Sequence, residues 1–272
     1  MKHIKDFINM KKNKESITML TAYDYISAVI AQNCDIDIIL VGDSLGMVMQ
    51  GENSTLGVSL QDIIYHSKIV RKGADNTFII ADMPYSTYHI DLSITKRNAF
   101  DIIIQTKANA VKIEGGNQNR LNVISSLVED EIPVCAHLGM TPQSINRFGS
   151  FKVQAKETQE QDELLKQALN VEKAGAFMLV LECVPELIAK QISEELSIPV
   201  IGIGAGRYTD GQVMVWHDIL GLSNITPKFV KKYIDLNTVI QENVNQYREE
   251  VKNKKFPMKQ NVYFPIDKDK GV

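Results

Sequence analysis

The sequence predicts a (β/α)8 barrel. Three observations support this: eight short, β-rich apolar runs along 272 residues, segments of helical period between most of them, and a length that suits the ~250 residues typical of that fold. The runs are ITMLT (17–21), DIILV (37–41), TFIIA (77–81), AVKIE (110–114), PVCAH (133–137), FMLVLE (177–182), PVIGI (199–203) and QVMVW (212–216). Strands that alternate with helices imply parallel pairing and right-handed crossovers. Nearly continuous apolar runs such as DIILV suit a sheet covered on both faces. A doubly wound open sheet is the main rival.

Each intervening segment has its own signal. Residues 25–34 carry Ile26, Val29 and Ile30 at helical spacing, and residues 60–73 set Ile63, Ile64 and Val70 on one face. Segments 93–107, 118–130, 159–173 and 185–196 read the same way. Ser59 precedes Asp62 by three residues, the spacing of a capping box. Gly73 and Gly175 read as left-handed C-caps. There is no repeat and no Pro/Gly-rich linker. Residues 1–272 therefore read as one barrel domain with a polar helical extension from about residue 227. That extension is expected to pack on the barrel or on a neighbouring subunit.

Composition excludes several classes. With 30 basic and 33 acidic residues and a net charge of −3, no basic patch argues for nucleic acid or an anionic membrane surface. The longest apolar runs are of strand length, too short to span a bilayer. The start, MKHIKDFINMKKNKES, lacks an apolar signal core. Cys34, Cys135 and Cys183 are widely spaced and odd in number, which argues against a disulfide framework and for a reducing cytoplasm.

Polar groups recur at the strand ends. LVGD ends at Asp43, FIIAD at Asp82, VCAH at His137 and LVLE at Glu182, while VKIE carries Lys112 and Glu114. In a barrel the C-terminal strand ends form the active-site face. Alternation along a strand puts Lys112 and Glu114 on one face, and likewise Ile80 with Asp82 and Val180 with Glu182. Each residue also has a plainer use. Asp43 and Asp82 serve equally as helix N-caps, Glu182 as a turn stabiliser, Lys112 as an edge residue, His137 as a core hydrogen-bond donor. Their recurrence at so many tips favours one shared site.

Two or three carboxylates without thiolates suit an oxygen-preferring cation such as Mg2+. An α-keto acid chelating that cation would have its carbonyl polarised and its neighbouring C–H acidified. A carboxylate off the metal would then act as base. The loop GIGAG (202–206) is a weak phosphate-loop match and reads better as a tight backbone passage. No GxSxG elbow, P-loop or HExxH motif is present. The stretch IILVGDSLGMVMQGENSTLG (38–57) delivers Asp43 to a strand tip and continues as a Gly-, Ser- and Met-rich segment. Its expected role is a flexible loop over the barrel mouth that orders with substrate.

A series of motifs then appears in order: TAYDY (21–25), LVGDSLGMVMQG (40–51), YHSKIVRKGA (65–74), ADMPY (81–85), VKIEGG (111–116), AHLGMTPQS (136–144), LECVP (181–185), IGIGAG (201–206) and DGQVMVWHDILGL (210–222). They span most of the chain, and the sequence resembles the ketopantoate hydroxymethyltransferase family. The resemblance implies a barrel of the phosphoenolpyruvate/pyruvate type. It implies transfer of a hydroxymethyl group from 5,10-methylenetetrahydrofolate to 3-methyl-2-oxobutanoate through a Mg2+-stabilised enolate, giving 2-dehydropantoate for pantothenate and coenzyme A synthesis. By motif, Asp43 and Asp82 would be metal ligands, with Glu114 in the metal's shell directly or through water. Asp43, Ser44, Asp82 and Lys112 would bind the keto acid, and Glu182 would accept the proton. His137 has a supporting role near the mouth. A cytoplasmic homodecamer, a pentamer of dimers, is implied.

The chain departs from the family where STLGVSL replaces STLPVTL (Gly57 for Pro), where Glu52 stands for a common His, and at 149–156. These positions bear on loop stiffness and folate contacts, not on the carboxylates. The rivals are another Mg2+-dependent lyase or mutase of that superfamily, a Schiff-base aldolase using Lys112, and an inactive homologue kept for assembly.

Overall fold

The computed structural model describes residues 1–150, 152–223 and 227–264. Its strands are β1 (Ile17–Thr21), β2 (Ile38–Val41), β3 (Phe78–Asp82), β4 (Ala110–Glu114), β5 (Val134–Gly139), β6 (Met178–Glu182), β7 (Val200–Ile203) and β8 (Gly211–Met214). They form a closed barrel in sequence order, parallel throughout, with β8 paired back onto β1. The helices are α1 (Ile4–Asn13), α2 (Tyr25–Asn33), α3 (Leu45–Val48), α4 (Leu60–Gly73), α5 (Leu92–Thr106), α6 (Gln118–Glu129), α7 (Ile145–Phe148), α8 (Thr158–Lys173), α9 (Glu186–Glu195), α10 (Trp216–Ile219) and α11 (Leu236–Lys252).

Strand alternation sorts the apolar residues into two cores. Ile39, Val41, Ile79, Ala81, Val111, Ile113, Leu179 and Leu181 join helix residues such as Ile63, Ile102, Leu127 and Ile192 in the outer layer. Ile38, Leu40, Phe78, Ile80, Ala110, Met178 and Val180 fill the tube. Phe7 of α1 closes the end at the strand N-termini, its ring edge-on to Phe78 at 5.1 Å. Lys11 fastens α1 through a 2.7 Å ion pair with Asp210. The tube is therefore apolar below, which leaves its polar strand residues to the C-terminal mouth.

Several local expectations are met. Ser59 and Asp62 make the capping box of α4. Gly175, at φ +98°, supplies a left-handed residue that a side chain would resist, just after α8. Gly73 differs: it lies inside α4, where a Cβ would sit 2.5 Å from Tyr25 O and 2.9 Å from Ala28 Cβ. Its glycine permits close α2–α4 packing rather than a cap. GIGAG is the tight passage expected, since a Cβ at Gly206 would run into the Glu186 side chain. The 204–210 connection between β7 and β8 contains no helix, so the ring of helices is interrupted there.

Two elements were not anticipated. The lysine-rich start forms α1, with only Phe7 buried. The segment after Asp43 is not a plain loop but begins as the helical turn α3, with Leu45 and Gly46 buried. A Cβ at Gly46 would lie 2.7 Å from Val58 Cγ2, so the turn is packed against the return of its own loop. A Cβ at Gly57 meets nothing within 4 Å, so space does not dictate the glycine there. Phe151, within the divergent 149–156 segment, lies outside the described residues, as does the end of the C-terminal tail from residue 265.

Candidate active site

The β-register brings the strand tips together. Asp82 pairs with Lys112, Glu114 with His137, and Gly139 with Glu182 across successive strands. Asp43, Asp82, Lys112, Glu114 and His137 are all buried, and Glu182 is the most open, its side chain 14% exposed. Lys112 Nζ lies 3.2 Å from Asp82 Oδ1 and 3.6 Å from Glu114 Oε1. His137 Nδ1 lies 3.2 Å from Glu114 Oε1. His137 Nε2 lies 3.2 Å from Glu182 Oε2, an ion-pair contact too poorly aligned for a hydrogen bond.

The turn after β2 explains how Asp43 arrives. At Gly42 a Cβ would sit 3.3 Å from Asp82 Oδ2. The bare backbone instead lets Asp43 N–H donate to that oxygen at 2.9 Å. Asp43 is not the cap of α3; that position is Ser44. Ser44 Oγ in turn lies 2.7 Å from the Tyr23 hydroxyl. Asp82 is no cap either, because Pro84 occupies that position for the short 3-10 turn Tyr85–Thr87.

Gln143 was not singled out from the sequence, yet it bonds two of the site carboxylates. Its Nε2 donates to Asp43 Oδ2 at 2.8 Å and to Met83 O at 3.1 Å, and its backbone N–H donates to Glu114 Oε2 at 3.0 Å. Its Oε1 accepts from the Tyr88 hydroxyl, which also accepts from Glu114 N–H at 3.3 Å. Gln143 lies within AHLGMTPQS, but a neutral amide on a turn carries no charge pattern that marks it as part of a site.

Electrostatics separate the three inner carboxylates. Burial, and then the charges of Asp82 and Glu114, push Asp43 well above the usual carboxylate range. Burial also raises Asp82, against the pull of Lys112 and the Asp43 N–H. Glu114 is lowered: burial opposes its charge, but His137, Lys112 and the Gln143 N–H outweigh burial. Lys112 is raised, because Asp82, Glu114 and Asp43 overcome the cost of burying an ammonium. Burial and the neighbouring Lys112 oppose charging His137, yet Glu114 and Glu182 lift it to about 9. Burying this many ions costs several kcal/mol each before pairing, so the cluster is a poor means of stabilising the fold. Perturbed groups concentrated in one mouth are the mark of a chemical site.

Among the described residues no three or more His, Cys, Asp or Glu side chains are gathered to hold a metal ion. None of the described helices is long and apolar enough to cross a membrane.

A phosphonopyruvate hydrolase structure matches with TM-score 0.64 at 9% identity, covering 98% of this chain and 92% of that one. A 2,3-dimethylmalate lyase, described as a PEP mutase/isocitrate lyase superfamily member, matches with TM-score 0.61 at 15% identity, over 95% and 92%. The molecule has the barrel fold of that superfamily. Residues 1–259 match the family described as ketopantoate hydroxymethyltransferase. A Bacillus cereus 3-methyl-2-oxobutanoate hydroxymethyltransferase is 47% identical over 271 residues, 99% of this chain and 97% of that protein. A protein of the same name from Bacillus thuringiensis is 49% identical over 258 residues, covering 94% and 92%. The chain belongs to the ketopantoate hydroxymethyltransferase family and is an enzyme of that class. Membership sets aside the lyase or mutase alternative.

Proposed function

We propose that this enzyme transfers a hydroxymethyl group from 5,10-methylenetetrahydrofolate to 3-methyl-2-oxobutanoate, giving 2-dehydropantoate, with Mg2+ held at the strand tips. The observation that carries the reading is the Asp43–Asp82 pair. Two buried carboxylates adjoin, Asp43 is driven toward protonation, and the Lys112 ammonium at 3.2 Å is the partner of Asp82 Oδ1 among the described residues. Such a pair favours a bound cation. Mg2+ commonly takes one or two protein carboxylates and leaves its other positions to water and substrate oxygens. A carboxylate pair of this kind suits Mg2+ better than zinc, which more often calls for His or Cys ligands. Glu114, already engaged by His137 and the Gln143 N–H, is assigned contact through water.

Mg2+ on Asp43 and Asp82 would polarise the keto oxygen and acidify the C–H beside it. The chain's own residues do the rest. Lys112, held as an ammonium by three carboxylates, compensates the charge of the substrate carboxylate. The same protonation argues against Schiff-base chemistry, which needs the free amine. Ser44, oriented by Tyr23, meets the keto acid. Glu182, open to the mouth, removes the C3 proton. The electron pair left on C3 forms the new C–C bond to the one-carbon unit. Water supplies the hydroxyl oxygen, and the folate nitrogens regain one proton from C3 and one from water.

Two coarser readings accompany this. The implied homodecamer is supported by α11, which has no buried residue in the chain and exposes Val239, Ile240, Val244, Tyr247 and Val251. A cytoplasmic setting is supported by Cys34, Cys135 and Cys183, all free thiols. The function is tested directly with purified protein, both substrates and Mg2+. 2-Dehydropantoate is expected by mass spectrometry, lost with EDTA and restored by excess Mg2+. An undiminished rate after chelation contradicts the metal assignment.

A further inference from the structure

A cavity of about 340 Å³ opens beside the strand-tip cluster. Glu114 and Gln143 of the cluster line it, together with the rings of Tyr85, Tyr88 and His89 and the side chain of Arg120. The His89 ring lies 4.5 Å from that of Tyr85 and 4.4 Å from that of Tyr88, giving a short aromatic ladder. Arg120 lies over Tyr88, its Cζ 4.7 Å from the ring centroid, and donates to Tyr88 O at 3.0 Å.

Arg120 is the telling residue. Its guanidinium is half-buried, and among the described residues it makes no ion pair with a carboxylate. A half-desolvated guanidinium without an acid is a site for a planar anion, which it can bind with two parallel hydrogen bonds. Three further features suit an anion. α6 begins at this cavity, with Asn117 as its cap, so the positive end of the helix dipole faces the same space. Arg147 adds a second guanidinium to the lining. Gly115, at φ +102°, would carry a Cβ only 3.2 Å from Arg120 Cγ, so the glycine pair after Glu114 leaves room for the arginine stem.

We propose that this cavity holds the p-aminobenzoyl-glutamate arm of the folate co-substrate, its aryl ring against Tyr85 and His89 and a glutamate carboxylate on Arg120. The proposal rests on the folate reading above. The arm fits better than the pterin. A pterin presents N–H donors that call for a carboxylate, and the one carboxylate among the described lining residues, Glu114, is already held by His137 and the Gln143 N–H. The arm presents an aromatic ring and two carboxylates, which match the tilted aromatic rings and the guanidinium of this cavity.

The test compares 5,10-methylenetetrahydrofolate with 5,10-methylenetetrahydropteroate, which lacks the glutamate. The wild type is expected to favour the glutamylated donor in kcat/KM by roughly tenfold or more, the scale of one charge-assisted contact. Arg120→Gln is expected to bring that ratio close to one, and Arg120→Lys to restore part of it. The ratio is internal to each protein, so a reduced folded fraction cancels. No preference in the wild type, or the same preference in Arg120→Gln, overturns the assignment of the cavity. A wild type that transfers from neither donor overturns the folate reading, and this inference with it.

Discussion

In Glu182→Gln, exchange of the C3 proton of 3-methyl-2-oxobutanoate for solvent deuterium is expected to fall by roughly 10²- to 10⁴-fold, the usual contribution of a positioned base. The substitution keeps size and shape and removes only the ability to take a proton. Glu182 is chosen by geometry. Asp82 and Glu114 lie against Lys112, and Asp43 is bonded by Gln143. Glu182 touches His137 as Glu114 does, but it is the more open of the two, its side chain 14% exposed against 3% for Glu114. The backbone there supports the placement. Cys183, the next residue, holds φ +49°, a left-handed conformation that a non-glycine side chain adopts at a cost. Proton NMR of the keto acid in D2O measures the exchange without any folate. Undiminished exchange in the variant removes Glu182 as the base.

The second large effect concerns Asp43 and Asp82. Asp43→Ala and Asp82→Ala are each expected to lose Mg2+ and keto-acid binding together, because in the proposed site both would hold the cation that the keto acid chelates. Changes one shell further from a metal commonly cost 10- to 100-fold in affinity, so loss of a ligand should exceed about 10²-fold. Titration calorimetry with Mg2+ and keto acid checks this, and normal Mg2+-dependent binding in both variants would show that the ligands are misassigned. Stability should move the other way. The Asp43 pKa is raised in the folded protein, so its ionisation disfavours the folded state and that penalty grows as pH rises through the raised value. Asp43→Asn removes the charge while its amide oxygen can still accept from Gln143 Nε2. In metal-free protein at neutral pH, the Tm of Asp43→Asn is therefore expected to equal or exceed that of the wild type. A role in the fold alone would lower it.

The barrel was legible because strand alternation is a local property. The odd and even positions of FIIAD, AVKIE and MLVLE sort into the outer and inner cores, and the same parity carries Asp82, Lys112, Glu114 and Glu182 to the mouth. Asp43 was harder, since it lies beyond the last strand residue. Its contacts with Asp82 Oδ2 and Gln143, and a cap position filled by Ser44, separate it from an ordinary helix cap. Gln143 and Tyr88 were out of reach for another reason. Both lie outside the strands, neither is charged, and their importance comes from contacts 26 to 100 residues away in sequence. Gly73 was misread because a glycine at a helix end serves equally for a left-handed cap or for close packing, and the facing helix decides which. α1 escaped notice because it fully buries only Phe7, with Ile4 and Met10 packed in part against the tube, and its other residues are mostly polar.

The proposed function requires the strand-tip carboxylates, with Mg2+, to make an otherwise weak carbon acid give up its proton. The most direct measurement is C3-deuterium incorporation into 3-methyl-2-oxobutanoate by the wild-type enzyme in D2O, without folate, with Mg2+ present and after EDTA. Enzyme-dependent exchange is expected with Mg2+, and background exchange after chelation. Equal exchange under both conditions, or none under either, would contradict the proposed function.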